Sequence, residues 1–250
     1  MQRRRLPVPG ASGARPPPNT WTAHERASTR RGPRRLLLGA GKGTRFNAAG
    51  TKLLAPLRGR PLLAHVVTHV RVTGLPMRLV LDSTAPQPLV DLADQLTREG
   101  EIVQNPLAAR GIGTSIAAGM HATKQATGWL VLPADMPNIG SDVITLVAQA
   151  LEDPRIMSAR PVYRGTPGYP LGFSRRCNID WNTSLIAMGL TLLKAKAAGR
   201  ALFVETPGVV QDVDQPSDLA ALEGPDDTTR NSYPEESTWH TGSPSLPGAR

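Results

Sequence analysis

An apolar run turns into a glycine-rich, basic loop in the stretch Leu36-Leu37-Leu38-Gly39-Ala40-Gly41-Lys42-Gly43-Thr44-Arg45-Phe46. Shortly after it comes Thr51-Lys52-Leu53-Leu54. Glycine lets backbone N–H groups approach a bulky anion without obstruction by a Cβ atom, and fixed cations neutralise the charge of that anion. The stretch therefore predicts a strand that leads into a triphosphate-binding loop, with cations supplied by Lys42, Arg45 and Lys52.

Two better-known glycine motifs do not fit this loop. Gly41-Lys42-Gly43-Thr44 lacks the Gly-Lys-Ser/Thr spacing of a Walker A loop, and the third glycine stands too close for a dinucleotide-binding fingerprint. On the loop alone, a tight turn between a strand and a helix, with solvated basic residues, remains an open alternative.

The composition suits an α/β protein. The 250 residues can form one domain or two small ones with a sizeable core, and aromatic residues make up only 4% of the chain. Leu, Ala and Val are abundant, as expected for helices packed on an aliphatic sheet. No apolar run approaches the roughly 20 residues that a membrane-spanning helix needs. We therefore expect no membrane partner.

The net charge of +9 comes mostly from one end of the chain. Residues 1–35 carry nine arginines and one acid, Glu25, whereas residues 224–250 carry four acids and two arginines. Both ends are rich in Pro, Gly, Ser or Thr and lack apolar periodicity. We therefore expect disordered tails at 1–34 and 224–250 around one folded domain at 35–223. Because the basic charge belongs to a tail, no specific nucleic-acid partner is expected.

The function of the N-terminal tail is open. Its Arg-rich, acid-poor composition weakly resembles a transit peptide, and an extended or misassigned start is the simpler explanation. Cys177 is the only cysteine, which excludes an intramolecular disulfide and a cysteine-cluster zinc site and is compatible with a reducing, cytoplasmic location. His65 and His69 stand one helical turn apart, a spacing that can bind a metal, but no third ligand stands near them in the sequence.

Strands and helices are predicted to alternate along the domain. Helical spacing of apolar residues favours helices at 61–72, 89–96, 113–126 and 141–151, the last capped by Ser141. Apolar runs predict strands at 77–82, 101–104 and 129–135 in addition to the first. This order implies a three-layer αβα architecture, with a mainly parallel sheet and helices on both faces.

Carboxylates follow two of these segments. Asp135 ends the most apolar strand, and ligands of such sheets bind beyond the carboxyl ends of the strands. Asp212 and Asp214 alternate near the end of the domain and are predicted to share one face of a strand. Carboxylates opposite a basic glycine loop suit Mg²⁺ and phosphoryl or nucleotidyl transfer. Helix-capping or turn roles for these aspartates remain the alternative.

Five motifs in order carry a family resemblance. They are Leu38 to Phe46 with Lys52-Leu53-Leu54, Asn105-Pro106 with Gly111-Ile112-Gly113-Thr114-Ser115, Ala134-Asp135-Met136-Pro137, Gly168-Tyr169-Pro170, and Asp212-Val213-Asp214-Gln215-Pro216-Ser217-Asp218-Leu219. This set resembles the MobA-like NTP transferases, and within them most closely the molybdenum cofactor cytidylyltransferases. Tyr169 and Gln215 stand where the family usually has His and Thr.

The resemblance implies a Rossmann-like nucleotidyltransferase fold of the GT-A type and Mg²⁺-dependent transfer of CMP from CTP to the phosphate of molybdopterin. A molybdenum hydroxylase apoenzyme is the implied recipient of the product. The implied catalytic residues are Arg45, Lys52 and Asp135, and the implied metal ligands are Asp135 and Asp214. The nucleotide would contact Leu38, Gly39, Ala40, Gly41, Lys42, Gly43, Thr44, Arg45, Lys52, Gly113, Thr114 and Ser115. The second substrate would contact Gly168, Tyr169 and Pro170.

Two other hypotheses stay open at this point. The chain resembles transferases that use another NTP, such as GTP, or another phosphorylated acceptor, such as a sugar phosphate or phospholactate. A different class of function is a non-catalytic escort that binds nucleotide or cofactor and delivers it to a molybdenum hydroxylase.

Overall fold

The computed structural model describes residues 33–40, 46, 52–177 and 199–223. The predicted tails lie outside these ranges apart from positions 33 and 34, so their disorder stays a prediction. None of the helices in the described ranges has the length and apolar character needed to cross a bilayer.

One large sheet organises the described residues. The strands are β1 (Arg34–Leu38), β2 (Pro56–Leu57), β3 (Arg60–Pro61), β4 (Met77–Asp82), β5 (Ile102–Asn105), β6 (Gly128–Pro133), β7 (Ser158–Tyr163), β8 (Thr166–Pro167), β9 (Leu171–Ser174) and β10 (Arg200–Phe203). The central strands of the large sheet are parallel neighbours in the order β5, β4, β1 and β6. The antiparallel strand β9 lies between β6 and β7, and β7 also pairs with β10 and the short β8. A separate two-stranded hairpin pairs β2 with β3.

Helices cover both faces of this sheet. The helices are α1 (Leu62–Val72), α2 (Gln87–Leu96), α3 (Ile112–His121), α4 (Ser141–Ala150) and α5 (Pro216–Leu222). One apolar cluster combines Leu37 and Leu79 of the sheet with buried residues of α1, α2 and α4, and a second combines Leu36 and Val80 with α3. Successive side chains alternate between the two faces of β1 and β4, so neighbouring residues belong to opposite clusters. The predicted αβα architecture with a mainly parallel sheet is confirmed.

The order of the strands fixes the place of a ligand. The chain passes from β1 outward to β4 and β5 and then returns through α3 to β6 on the other side of β1. A parallel sheet opens a crevice at such a reversal, beyond the carboxyl ends of the two strands. The segments that leave β1 and β6 begin with Gly39 and Ala134, and the N–H of Ala134 donates to the carbonyl of Leu38 at 3.0 Å. Both predicted ligand loops therefore start side by side.

Three local predictions were wrong. The third helix ends at His121 rather than at 126, because the chain turns there to enter β6 and the Thr123 hydroxyl accepts a hydrogen bond from Trp129 Nε1 at 3.0 Å. Helix α4 has Gly140 as its N-cap, with no side-chain capping bond, so Ser141 is its first residue and not its cap. Residues 211–214 are extended but form no strand, since they pair with loop backbone and not with a sheet edge.

Two glycines allow loops near the carboxyl end of the sheet to touch backbone to backbone. A Cβ at Gly208 would overlap the carbonyl oxygen of Asn138, and one at Gly168 would overlap the carbonyl oxygen of Val209. The N–H of Tyr169 donates to that same Val209 carbonyl at 2.8 Å. These contacts hold the loop after β6, the loop before β9 and the segment before α5 against one another.

We expect Gly208→Ala to lower the free energy of unfolding by about 1–3 kcal/mol, because the new methyl group meets rigid backbone. The control is Gly140→Ala, whose added methyl group would meet only the side chain of Asp142, which is exposed and can shift. That variant should lose less than about 1 kcal/mol. Urea denaturation of both variants measures the difference, and equal losses would contradict the backbone contact at Gly208.

Candidate active site

A buried lysine joins two aspartates from distant parts of the chain. The Nζ atom of Lys52 lies 2.5 Å from Oδ2 of Asp135 and 3.2 Å from Oδ1 of Asp214. It also donates to the backbone carbonyl of Val213 at 2.9 Å. The Lys52 side chain is only 8% exposed, whereas the two carboxylates are 22% and 39% exposed. The two carboxylates are thus more accessible to solvent than the lysine that they bind.

A short local structure places Lys52. It is the first residue of a 3₁₀ turn, Lys52–Leu54, in which the N–H of Ala55 donates to the Lys52 carbonyl at 3.1 Å and Leu53 is buried in the core. Burial disfavours the ammonium, but the charge of Asp135 and the hydrogen bonds to both aspartates outweigh it. They hold the pKa of Lys52 above its ordinary value. Lys52 is therefore a permanent positive charge at the end of the sheet.

Backbone contacts bring Asp214 to the same point. The N–H of Val213 donates to the carbonyl of Asp135 at 2.9 Å, and the Val213 side chain is fully buried. Oδ2 of Asp218, in the first turn of α5, accepts the N–H groups of Asp214 and Gln215 at 2.8 and 2.7 Å. Asp212 is exposed and does not share a strand face with Asp214. The sequence predicts that Ser217 or Asp218 begins the final helix; Asp218 forms the capping box of α5 with Gln215 and at the same time positions the backbone of Asp214.

The converging oxygens fit a divalent cation. Asp135, Asp214 and the Val213 carbonyl surround one point, which the Lys52 ammonium now occupies. An all-oxygen set with two carboxylates suits Mg²⁺, a hard cation that commonly adds phosphate oxygens of a substrate. Asp135 bonds Lys52 rather than capping α4, so the capping alternative for Asp135 does not hold. That Asp135 and Asp214 bind a metal stays a prediction.

A cleft of about 360 Å³ opens beside this cluster. One wall is the start of the glycine loop, with Leu38, Gly39 and Ala40, and the floor includes Lys52 and Asp135. The opposite wall comes from the segment before α3 and the first turn of that helix, and it includes Ala108, Ala109, Gly111, Ile112 and Ser115. Five of the predicted nucleotide-binding residues therefore line one cavity: Leu38, Gly39, Ala40, Lys52 and Ser115.

The remaining nucleotide-binding predictions divide into two groups. Gly113 and Thr114 are buried behind the cleft wall, and the Thr114 hydroxyl bonds the carbonyls of Leu107 and Gly111, both at 2.8 Å. Their contact with a nucleotide stays a prediction. The other predicted residues of the loop lie outside the described residues: Gly41, Lys42, Gly43, Thr44 and Arg45.

Asn105 fixes the wall on the α3 side. It is fully buried at the end of β5, and its Nδ2 donates to the hydroxyls of Thr114 at 3.2 Å and Ser115 at 3.0 Å. Its Oδ1 accepts the N–H of Leu107 at 3.0 Å. One amide therefore ties both ends of the segment that borders the cleft. An Asn followed by Pro at the end of a strand is the sequence feature that could have suggested this role.

The predicted second-substrate segment lies next to the aspartates. Gly168 and Pro170 are buried, and Tyr169 is half-buried. Burial raises the pKa of the Tyr169 phenol, the nearby charge of Arg160 lowers it, and the charges of Asp135 and Asp212 raise it further. Tyr169 therefore lies within electrostatic reach of the Asp135 carboxylate. Contact with a substrate stays a prediction for all three residues.

Other titratable groups have structural partners. His65 Nε2 lies 2.7 Å from the carbonyl of Leu57, and burial lowers the pKa of its imidazole and of that of His69. Within the described ranges, no group of three or more His, Cys, Asp and Glu side chains is arranged to hold a metal. Cys177 is buried, and its Sγ donates to the Met157 carbonyl at 2.9 Å.

Comparison with known proteins identifies related chains. A profile described as the MobA-like NTP transferase domain matches residues 35–199. The bifunctional protein GlmU of Rhodospirillum rubrum is 30% identical over 152 residues, which cover 56% of this chain and 30% of GlmU. The matched part of the chain spans 23–30% of the length of such GlmU proteins.

Solved structures share the fold. Rv0371c of Mycobacterium tuberculosis superimposes with a TM-score of 0.60 at 21% identity and covers 77% of this chain and 97% of its own, and it has also been solved in complex with manganese. The molybdopterin-guanine dinucleotide biosynthesis protein A of Archaeoglobus fulgidus superimposes with a TM-score of 0.54 at 16% identity, covering 76% of this chain and 96% of its own.

We expect Lys52→Met to be less stable than the wild type by about 1–3 kcal/mol, because two facing carboxylates lose their shared cation. Mg²⁺ or Mn²⁺ should restore part of that loss and should raise the melting temperature of this variant more than that of the wild type. Thermal denaturation with and without the metal measures both effects. Lys124→Met, at an exposed lysine, is the matched control. An equal metal response in all three proteins would contradict a cation site at the carboxylates.

Burial raises the pKa of the Cys177 thiol, so little of the reactive thiolate forms near neutral pH. We expect the native protein to react with a thiol reagent at pH 8 roughly tenfold or more slowly than the same protein in urea. Because Cys177 is the only cysteine, the whole absorbance change reports on it. Fast labelling of the native protein, or loss of turnover in Cys177→Ala, would show that this thiol is exposed or used.

Proposed function

The chain belongs to the MobA-like NTP transferase family, and from that premise we propose that it is a nucleotidyltransferase that transfers CMP from CTP to the phosphate of molybdopterin and releases pyrophosphate. The observation that carries the proposal is the meeting of Lys52, Asp135 and Asp214 within 3.2 Å at one end of the 360 Å³ cleft. A triphosphate in this cleft would place its charge against a fixed cation and a pair of metal-binding carboxylates.

The reaction needs little proton transfer. An oxygen of the acceptor phosphate forms a bond to the α-phosphorus of the nucleotide, and the bond from that phosphorus to the bridging oxygen of the β-phosphate breaks. The electron pair leaves with pyrophosphate. Because a phosphate nucleophile is already anionic near neutral pH, a general base is not required. The work of the protein is therefore to position two substrates and to balance charge.

Specific residues supply that charge balance. Asp135 and Asp214 would hold Mg²⁺, which supplies positive charge to phosphate oxygens when it is bound. The manganese complex of Rv0371c supports a divalent ion at this fold. Lys52 would move its ammonium from the carboxylates toward the phosphates, and Arg45 would assist from the glycine loop. The backbone of Gly39 and Ala40 would line the triphosphate, and Ser115 would stand near the base.

The choice of CTP and molybdopterin rests on sequence context. Lys52-Leu53-Leu54 and the segment Gly168 to Phe173 resemble the cytidylyl branch of the family more than the guanylyl branch. Gly168, Tyr169 and Pro170 would contact molybdopterin on the Asp135 side of the cleft. A molybdenum hydroxylase apoenzyme would receive the product, in a cytoplasmic setting.

Pyrophosphate release tests this proposal directly. The purified protein is incubated with Mg²⁺ and each of CTP, GTP, ATP and UTP, with and without molybdopterin. Release that requires both CTP and molybdopterin supports the proposal. Release with GTP, or with a sugar phosphate or phospholactate in place of molybdopterin, would assign another transferase activity. Tight CTP binding without any release would instead favour the escort.

Within this proposal, Asp135→Ala should lower kcat by roughly 10²–10³-fold or more, because it removes a ligand of the cation that balances the transition-state charge. Tyr169→Phe should lower kcat by less than about tenfold, because no proton transfer depends on the phenol. Asp91→Ala, at an exposed position on α2, is the control. Steady-state pyrophosphate release measures all three, and full activity in Asp135→Ala would remove Asp135 from the site.

A further inference from the structure

Arg160 lies beside the segment assigned to the second substrate. It is half-buried in β7, and its Nη2 donates to the carbonyl of Gly168 at 3.3 Å. Gly168 precedes Tyr169, and the N–H of Gly168 donates to the carbonyl of Pro161, the next residue of β7, at 2.8 Å. The guanidinium is therefore held against the backbone of this segment by a rigid strand.

The charge of Arg160 has no counter-ion among the residues that the structure describes. Its Nε is buried without a hydrogen-bond partner there, so the contact with Gly168 uses one of five N–H donors. Burial lowers the pKa of the guanidinium, and the nearby Tyr169 raises it in part. Buried charges in proteins are usually paired. Arg35 is also poorly paired, but it is fully enclosed at the opposite end of the sheet, where no ligand can reach it.

Backbone contacts connect this segment with the aspartates. The N–H of Tyr169 donates to the carbonyl of Val209 at 2.8 Å, and the chain continues from Val209 to Val213, whose N–H donates to the carbonyl of Asp135 at 2.9 Å. The Tyr169 phenol is within electrostatic reach of Arg160, Asp135 and Asp212. An anion bound by Arg160 would therefore lie beside Gly168, in the segment that the proposed function gives to the second substrate.

We propose that Arg160 binds the phosphate of the second substrate and thereby selects a phosphomonoester acceptor over a neutral alcohol. The inference rests on the proposed function, because it assigns a partner to the nucleophile of that reaction. A guanidinium matches two phosphate oxygens with parallel N–H donors, which both holds and orients the attacking group. A neutral hydroxyl acceptor would leave the half-buried charge uncompensated.

The test measures binding and turnover in Arg160→Gln and Arg160→Lys. Arg200→Gln is the charge-matched control, since Arg200 is exposed on the neighbouring strand β10. Titration calorimetry uses phenyl phosphate as the probe and benzyl alcohol as its neutral counterpart. Saturating Mg²⁺ and inorganic tripolyphosphate fill the triphosphate site during these titrations, whichever base the enzyme prefers.

We expect Arg160→Gln to weaken phenyl phosphate binding by roughly 10- to 100-fold, as for the loss of hydrogen bonds to a charged group. Tripolyphosphate binding, benzyl alcohol binding and the melting temperature should stay near wild-type values. Arg160→Lys should recover part of the affinity, and Arg200→Gln should behave as the wild type. In turnover, Arg160→Gln should raise the KM for molybdopterin by a similar factor with little change in the KM for CTP.

Equal phenyl phosphate affinity in wild type and Arg160→Gln would overturn the inference, as would parallel losses of phenyl phosphate and tripolyphosphate. Failure of the proposed function has a different result. If no nucleotide and molybdopterin pair releases pyrophosphate, but phenyl phosphate binding still depends on Arg160, the phosphate site stands and only the assigned substrates are wrong.

Discussion

The ion pairs of Lys52 with Asp135 and Asp214 are the interactions on which the arrangement of the loops at the carboxyl end of the sheet depends. Three segments far apart in sequence converge on one ammonium, and Val213 ties two of them together by donating its N–H to Asp135 and offering its carbonyl to Lys52. A half-buried pair of carboxylates is unfavourable without a cation. In the protein without ligands, Lys52 supplies that cation. In the proposed reaction, a divalent ion and a triphosphate would bind at the same point.

The sheet makes this convergence possible. Adjacent carboxyl ends of β1 and β6 start two loops side by side, and the return of the chain through α3 opens a crevice between them. Loops beyond the sheet are then packed backbone against backbone at Gly168 and Gly208, where a side chain would not fit. The segment from Gly168 to Pro170, with Arg160 bonded to its first carbonyl, is thereby held at a fixed place relative to Asp135. Rigid placement of both substrates is what a transfer between two phosphates requires.

Much of the fold was predictable because it follows from local patterns. The apolar run of β4 and the helical stripe of α1 gave bounds within one residue of those observed. The predicted bounds were wrong where tertiary contacts decide where a helix ends or whether a strand forms. Helix α3 stops at His121 to let Trp129 reach Thr123, and residues 211–214 bond loop carbonyls and not a strand. For the candidate site, the residue types at Lys52, Asp135 and Asp214 were evident, but the contacts of Asn105, Asp218 and Arg160 were not, since only folding brings their hydroxyl and backbone partners near.

The sequence by itself determined the α/β class, the order of its elements and the residue types of a candidate nucleotide-binding site, because periodicity and loop composition are local properties. Only the tertiary structure decided that Lys52 and two aspartates share one point, that Asn105 fixes the wall of the cleft, and that Arg160 bonds the Gly168 carbonyl with no carboxylate partner among the residues that the structure describes. These contacts join residues that are separated in the sequence, by as much as 162 positions for Lys52 and Asp214. No local pattern encodes such a contact, because it results from the packing of the whole sheet and its helices.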